Sequence, residues 1–276
     1  MSKLYVVGTP IGNLSDMTPR AIEVLGSVDF IAAEDTRVTM KLLTYFDIHK
    51  PMVSYYEHNL REKGEYIVNR ILAGENCAIV TDAGMPCISD PGEDLVRLCA
   101  EHGIEINVVP SPTAAMSALA ISGLPTSRFS FEGFLSVTKK QRNAHLNEIK
   151  NFHRTLIFYE APHKLKNTLD DLYEALGDRR ISLCRELTKL HEEVLRGKIS
   201  DMIKYYSEKT PKGEYVLVVE GAPEEEQNEA DIETAAEYAK AEIASGKKAS
   251  EACKEAAKKF GFSKSEIYNM IMNERQ

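Results

Sequence analysis

Several features are missing from this 276-residue chain, and each absence excludes something. Its five cysteines, Cys77, Cys87, Cys99, Cys184 and Cys253, are scattered with no Cys-x-x-Cys spacing. That excludes a disulfide framework and a zinc cage, so a reducing cytoplasm is expected. No apolar run approaches the roughly 20 residues that span a bilayer, and the opening "MSKLYVVGTP" lacks the plan of a signal peptide. Excess positive charge is missing too: the net charge is −8. A general nucleic-acid binder would be basic, so any RNA must be met through a local patch or a preformed partner. There is no Gly-Lys-Ser/Thr P-loop, no G-x-G-x-x-G, no internal repeat and no low-complexity segment.

What is present alternates. "LYVVG" (4–8), 29–35, "NCAIVTDAG" (76–84) and "IEINVVPSP" (104–112) read as buried strands. Helical patterns lie between and after them, at 18–28 with Thr18 as cap and Pro19 in the first turn, at 36–48, at 61–75, at 89–103 capped by Ser89 or Asp90, and at 113–123. Such alternation predicts an α/β domain over residues 1–123 with a parallel sheet covered on both faces. From residue 124 the pattern changes. Five strand-like runs (129–135, 154–162, 179–187, 191–200, 213–221) enclose two helices (139–152, 163–176), and their close spacing predicts antiparallel pairing in a second, mixed-sheet α/β domain over 124–222. The acidic linker "APEEEQNE" (222–229) then leads to a helical C-terminal module within 223–276. Its segment 247–264 holds six lysines and two glutamates, and "ASEACKEAAKKFGFSKSEIYNMI" reads as a small helix-turn-helix.

Three strand-end loops are unusual: 8–17, 81–92 and 109–118. In an open parallel sheet such ends bind ligands. None of the three contains Lys or Arg, and together they hold Pro10, Pro86, Pro91, Pro110 and Pro112, which donate no N–H. A phosphate cradle needs free N–H groups and usually a cation. These loops offer carbonyls, hydroxyls and carboxylates, which suit a neutral or cationic, donor-rich ligand, and S-adenosylmethionine fits.

The stretches "LYVVGTPIGNLSDMTPRAIEVL", "AEDTR", "TDAGMPCISDPG", "VVPSPTAAMSALAISGLP", "FYEAPHK", "RELTKLHEE" and "KGEYVLVVEG", in this order over residues 4–221, resemble the tetrapyrrole methylase superfamily. Within it they are most similar to the subfamily of small-subunit ribosomal RNA methyltransferases that modify a cytidine ribose 2′-oxygen. Gly8-Thr9-Pro10 stands where superfamily members usually carry Gly-x-Gly, and Asp82-Ala83-Gly84 replaces a Gly-Asp-Pro-like stretch. The resemblance implies the two-domain tetrapyrrole methylase fold, S-adenosyl-L-methionine as cofactor, a homodimer, and small-subunit ribosomal RNA as substrate, in an assembled ribosomal particle. It places Pro10, Ile11, Asp82, Met85, Thr113 and Ala114 beside the cofactor. Asp82 is equally readable as a turn cap, and Thr113 can cap the helix at 113–122.

Methyl transfer to a ribose oxygen is chiefly a matter of alignment, helped by a base or a cation. The candidates are Glu34, Asp35 and Arg37 at a strand end, Glu160 and His163 in "FYEAPHK", and Arg185, Glu186 and Lys189 in "RELTKL". No base is singled out. "RELTK" also reads as a salt-bridged strand end, and His163 as a helix residue without a role. Competing functions are methylation of a tetrapyrrole precursor, a diphthine-type protein methylase, and a non-catalytic ribosome-binding protein.

Overall fold

The computed structural model describes residues 2–90, 92–223 and 229–273. Pro91 of the second loop and residues 224–228 of the acidic linker lie outside the described residues. By internal contacts the chain divides into two units, residues 1–222 and 223–276.

The first sheet is wholly parallel. Strands β1 (Lys3–Val7), β2 (Phe30–Ala33), β3 (Met52–Ser54), β4 (Cys77–Val80) and β5 (Glu105–Val109) lie in the order β3-β2-β4-β1-β5. All four residues of β2 and of β4 are buried, as continuous apolar runs in a doubly covered sheet require. Helices α1 (Pro19–Ser27) and α2 (Thr36–Tyr45) cover one face through Ala21, Leu25 and Leu43, which pack with Val7, Ile31 and Val80. Helices α3 (Leu60–Leu72) and α4 (Gly92–Glu101) cover the other through Ile67, Ile71, Leu95 and Cys99. Strand β3 is not predicted from sequence; at three half-buried residues it is too short to show a period.

Beyond α5 (Ala114–Ile121) the second sheet runs β6 (Phe129–Phe134), β7 (Thr155–Glu160), β10 (Tyr215–Val219), β8 (Arg180–Arg185), β9 (Glu193–Lys198). Only β6 and β7 are parallel; the other pairs are antiparallel. Helices α6 (Lys139–Ile149), α7 (Leu165–Leu176) and α8 (Ile199–Ser207) cover its outer face. The run read as a strand to residue 200 turns into α8 at Ile199, where Asp201 accepts from Lys198 N at 2.9 Å and stops the strand. The inner face is covered by α5: Ala115, Ala118 and Leu119 pack with Ile157, Cys184, Val216 and Val218. The helix that leaves the first sheet thus rests on the second, and the third strand-end loop is fixed to both.

In the C-terminal unit, α9 (Glu229–Ala244), α10 (Ala249–Phe260) and α11 (Lys264–Asn273) share a core of Ala235, Ala236, Ala239, Ala252, Ala256, Phe262, Ile267 and Ile271. Gly261 ends α10 in the left-handed conformation (φ 81°). The predicted helix, glycine turn and helix correspond to α10 and α11.

Candidate active site

The sheet order has a switch point between β4 and β1. The chain leaves β1 through α1 on one face and β4 through α4 on the other, so a crevice opens at their carboxyl ends. A cavity of about 230 Å³ lies there, lined by Thr9, Pro10, Gly12 and Leu14 after β1, Thr81 and Asp82 after β4, and Val38, Thr39, Lys41 and Leu42 of α2.

The loops around it are zipped together. Thr9 and Gly84 exchange both backbone hydrogen bonds, at 2.8 and 3.1 Å. Ser111 Oγ donates to Thr9 O at 2.6 Å, and Gly8 N to Val109 O at 3.0 Å. These bonds use up backbone donors that a phosphate would need. Gly8 is required for closure: a Cβ there would stand 2.1 Å from Ser111 Cβ and 2.7 Å from Met85 Sδ. In the second loop, Asp90 accepts from Cys87 N and Gly92 N, both at 2.8 Å, whereas Ser89 sits at φ 62°, so Asp90 is the residue that fixes the approach to α4.

Carboxylates dominate the electrostatics. Thr81 Oγ1 donates to Glu34 Oε2 at 2.6 Å, and Asp35 N donates to Asp82 Oδ1 at 3.3 Å. Both contacts follow from the β2–β4 register, which pairs Ala33 with Val80. Arg37 lies outside the cavity lining with its side chain 87 % exposed, and its hydrogen bonds to Asp35 hold that carboxyl down at about 2. Asp82 has no such partner among the described residues. Partial burial, then Glu34, push its carboxyl up from the ordinary value. A carboxylate so placed is stabilised by an incoming cation.

The other candidates fall in different places. Pro10 and Asp82 line the cavity. Ile11 packs into the core against the second sheet, and Ala114 packs against the same core. Met85 packs on the α3–α4 face, and Thr113 caps α5 by accepting from Met116 N. Glu160 is buried on the outer face of the second sheet with Leu156 and Phe158, accepting from Thr168 Oγ1 at 2.5 Å. The period of two along β7 therefore turns it away from α5 and the loops. Arg185 donates to His191 O and lies 3.6 Å from Glu193. Lys189 stands between Glu186 (2.9 Å) and Glu214 (2.8 Å). Although burial opposes both shifts, the two carboxylates hold Lys189 above its ordinary value, and the Glu214 N–H (2.9 Å) and then Lys189 hold Glu186 below its own, so both stay charged at neutral pH. Lys189 nevertheless reaches the site's rim, since a Cβ on Gly12 would meet its Cγ at 2.5 Å. Lys41 and Thr39 were missed by sequence reasoning, and the signal available was the start of α2 only three residues past β2.

Residues 3–203 match the family of Tetrapyrrole (Corrin/Porphyrin) Methylases. The chain belongs to the tetrapyrrole methylase family. Relatives named ribosomal RNA small subunit methyltransferase I include one from Halalkalibacterium halodurans, 47 % identical over 98 % of this chain and 95 % of its own, and one from Bacillus subtilis, 46 % identical over 98 % and 94 %. A third, from Thermotoga maritima, is 48 % identical over 80 % of this chain yet 99 % of its own. Among solved structures, the methyltransferase CobJ superposes with a TM-score of 0.62 at 17 % identity, covering 80 % of this chain and 95 % of that one. Uroporphyrin-III-C-methyltransferase from Thermus thermophilus gives 0.57 at 21 %, covering 80 % and 94 %. These two establish the fold.

The methyl donor of this family is S-adenosylmethionine, which supplies a methyl group on a positively charged sulfur. The site fits it. Asp82, raised and without an ion-pair partner among the described residues, suits a cationic centre; Lys41 of α2 suits a carboxylate; Thr9 and Thr39 bring hydroxyls. At about 230 Å³ the cavity is smaller than the ~300–1,000 Å³ of a ligand pocket, room for one arm of such a cofactor, and Met85, Thr113 and Ala114 lie outside its lining. Among the described residues no cluster of His, Cys, Asp and Glu could hold a metal ion.

Asp82→Asn is expected to separate stability from binding. A carboxylate whose folded pKa is raised costs the folded state stability above that pKa, and the cost disappears as the pH falls through it. The variant should therefore melt no lower than the parent at pH 7 without cofactor, and this margin should shrink towards pH 4. Its affinity for S-adenosylmethionine should fall about ten- to hundredfold, the loss of one charge-assisted contact of about 1.5–3 kcal/mol. Calorimetry giving an unchanged Kd in the folded variant would remove Asp82 from the site.

Proposed function

We propose that this methylase transfers a methyl group from S-adenosylmethionine to the 2′-oxygen of a cytidine ribose in small-subunit ribosomal RNA. The observation that carries this reading is the identity of 45–47 % over nearly the whole chain with relatives named ribosomal RNA small subunit methyltransferase I. The site supports it by its chemistry. The zipped loops and Asp82 orient the donor, and the chain's main work is alignment. The charged groups Glu186, Lys189 and Glu214 act as a strut on the first loop and not as a base, because both carboxylates are tied to the one ammonium. Glu160, tied to Thr168, braces β7 against α7. In this reading the enzyme works in the cytoplasm as a homodimer on an assembled particle, and the lysines of the C-terminal unit touch its phosphates. No helix among the described residues is long and apolar enough to cross a membrane.

The test is transfer of labelled methyl from S-adenosylmethionine to small ribosomal subunits, to naked small-subunit RNA and to a tetrapyrrole precursor, followed by mapping of the modified nucleotide. Label on a cytidine ribose, with subunits preferred over naked RNA, is the expected result. Label on the tetrapyrrole alone would favour the small-molecule reading. Sedimentation showing only monomer at micromolar concentration would remove the homodimer.

A further inference from the structure

The corner where β6 runs into α6 joins three features. The first is an exposed apolar face: Phe134, the last residue of β6, is 56 % exposed, and Val137 is 72 % exposed. The second is rigidity. The Phe134 ring meets Tyr159 edge-on at 5.6 Å, and Tyr159 meets Phe131 at 5.0 Å. The turn that follows is pinned by Thr138 N donating to Ser136 Oγ, by Arg142 Nη1 donating to Ser136 O, both at 3.2 Å, and by the Arg142–Asp171 ion pair at 2.7 Å. The third is charge. Lys139 and Lys140 are exposed and have no ion-pair partner among the described residues, in a chain of net charge −8.

The corner also borders the site. Ala115 N, one residue past Ala114, donates to the Tyr159 hydroxyl at 3.2 Å. A Cβ on Gly133 would lie 3.5 Å from Ser89 Oγ of the second loop. An aromatic face held this firmly loses little freedom when something stacks on it. A protein partner covering Phe134 and Val137 would have to bring carboxylates for both lysines, whereas a polyanion with flat bases satisfies ring and cations together.

We propose that the β6–α6 corner binds single-stranded RNA beside the target nucleotide, with a base stacked on Phe134 against Val137 and the adjacent phosphates on Lys139 and Lys140. This rests on the RNA reading of the site. Sequence-specific RNA recognition mostly takes single strands whose bases are splayed out and stacked on aromatic side chains, and a stacking face next to the cofactor loops replaces the stacking that splaying removes.

The experiment compares the full-length parent with Phe134→Ala, Phe134→Tyr and the double charge reversal Lys139→Glu, Lys140→Glu. It measures the S-adenosylmethionine Kd, the KM and kcat for small subunits across a salt series, and sedimentation. Glutamates in the first turn of a helix favour its dipole, so the double variant is expected to fold. Expected results are an unchanged cofactor Kd, a KM raised about tenfold or more by Phe134→Ala and restored by Phe134→Tyr, and a salt slope flattened by about 1.5 in the double variant. Values of KM and slope equal to the parent's would overturn the proposal. So would a change of oligomeric state in Phe134→Ala, which would make the corner a contact between copies of the chain. If the parent itself transfers no methyl to small subunits, the RNA reading fails first and takes this inference with it.

Discussion

Alanine at Gly8 is expected to abolish measurable S-adenosylmethionine binding, while alanine at Gly26 should make the protein more stable. The two substitutions are chemically identical and differ only in what the added methyl group meets. At Gly8 it would stand 2.1 Å from Ser111 Cβ and 2.7 Å from Met85 Sδ. Met85 belongs to the second loop and Ser111 to the third, so relief requires both to move away from β1. Ser111 cannot move alone, because its hydroxyl is bonded to Thr9 O, and Thr9 is bonded in both directions to Gly84. Forcing a group into so closed an arrangement costs about 1–3 kcal/mol or more. The larger effect falls on the site, whose Asp82 stands on the displaced second loop and whose Thr9 is bonded to both displaced loops. At Gly26, inside α1 and exposed, nothing lies within 4 Å, and removing a helical glycine stabilises by about 0.5–1 kcal/mol. Calorimetry and urea unfolding of the two variants decide the matter. A Gly8→Ala protein that binds cofactor within threefold of the parent would mean that the loops are not coupled.

The coupling of these loops marks the limit of what the sequence carries. Strand-end positions were legible because β1, β2 and β4 are unbroken apolar runs that stop at polar, glycine- or proline-bearing stretches. Proline and the lack of cations were enough to argue against a phosphate. The partnership of Glu34 with Thr81, and of Asp35 with Asp82, was not legible, since each pair is 47 residues apart and depends on the β2–β4 register. Lys41 was missed for a related reason: it lies on α2, and only the packing of that helix brings it to the cavity. Of the readings of "RELTK", the ion pair is present between Glu186 and Lys189, and the Lys189 stem lies against Gly12 of the first loop, a contact that local sequence does not show. Glu160 looked available as a charged residue at the end of a strand, but alternation along β7 sends it to the buried outer face. Helix α8 was overlooked although Ile199, Met202 and Tyr206 have helical spacing, because its first residues continue the apolar pattern of β9.

Truncation after Ala222 is expected to leave the catalytic unit folded and its cofactor affinity unchanged within about twofold, and to weaken its hold on ribosomal particles at low salt. The cut falls at a natural end. Ala222 N donates to Phe152 O at 2.7 Å and Ala222 O faces His153 Nδ1 at 3.2 Å, so the last retained residue is anchored. The removed helices have a core of their own. The family match also ends at residue 203, before these helices begin. The size of the RNA effect follows from which lysines are free. Of the six in 247–264, Lys247 is held by Glu242 and Glu255, both at 2.6 Å, Lys259 lies 4.0 Å from the centre of the Tyr238 ring, and Lys264 donates to Ser250 Oγ. Lys248, Lys254 and Lys258 have no such partner among the described residues, and Lys254 and Lys258 share one face of α10 at a spacing of four. Three phosphate contacts at about 0.7–0.9 each would contribute roughly 2–3 to the slope of log affinity against log salt. Phosphate contacts of this kind fix register without reading bases, so the truncated enzyme should modify the same nucleotide with a higher KM and a flatter salt dependence. A truncated protein whose KM and salt slope match those of the full chain would show that these lysines only solubilise the helices.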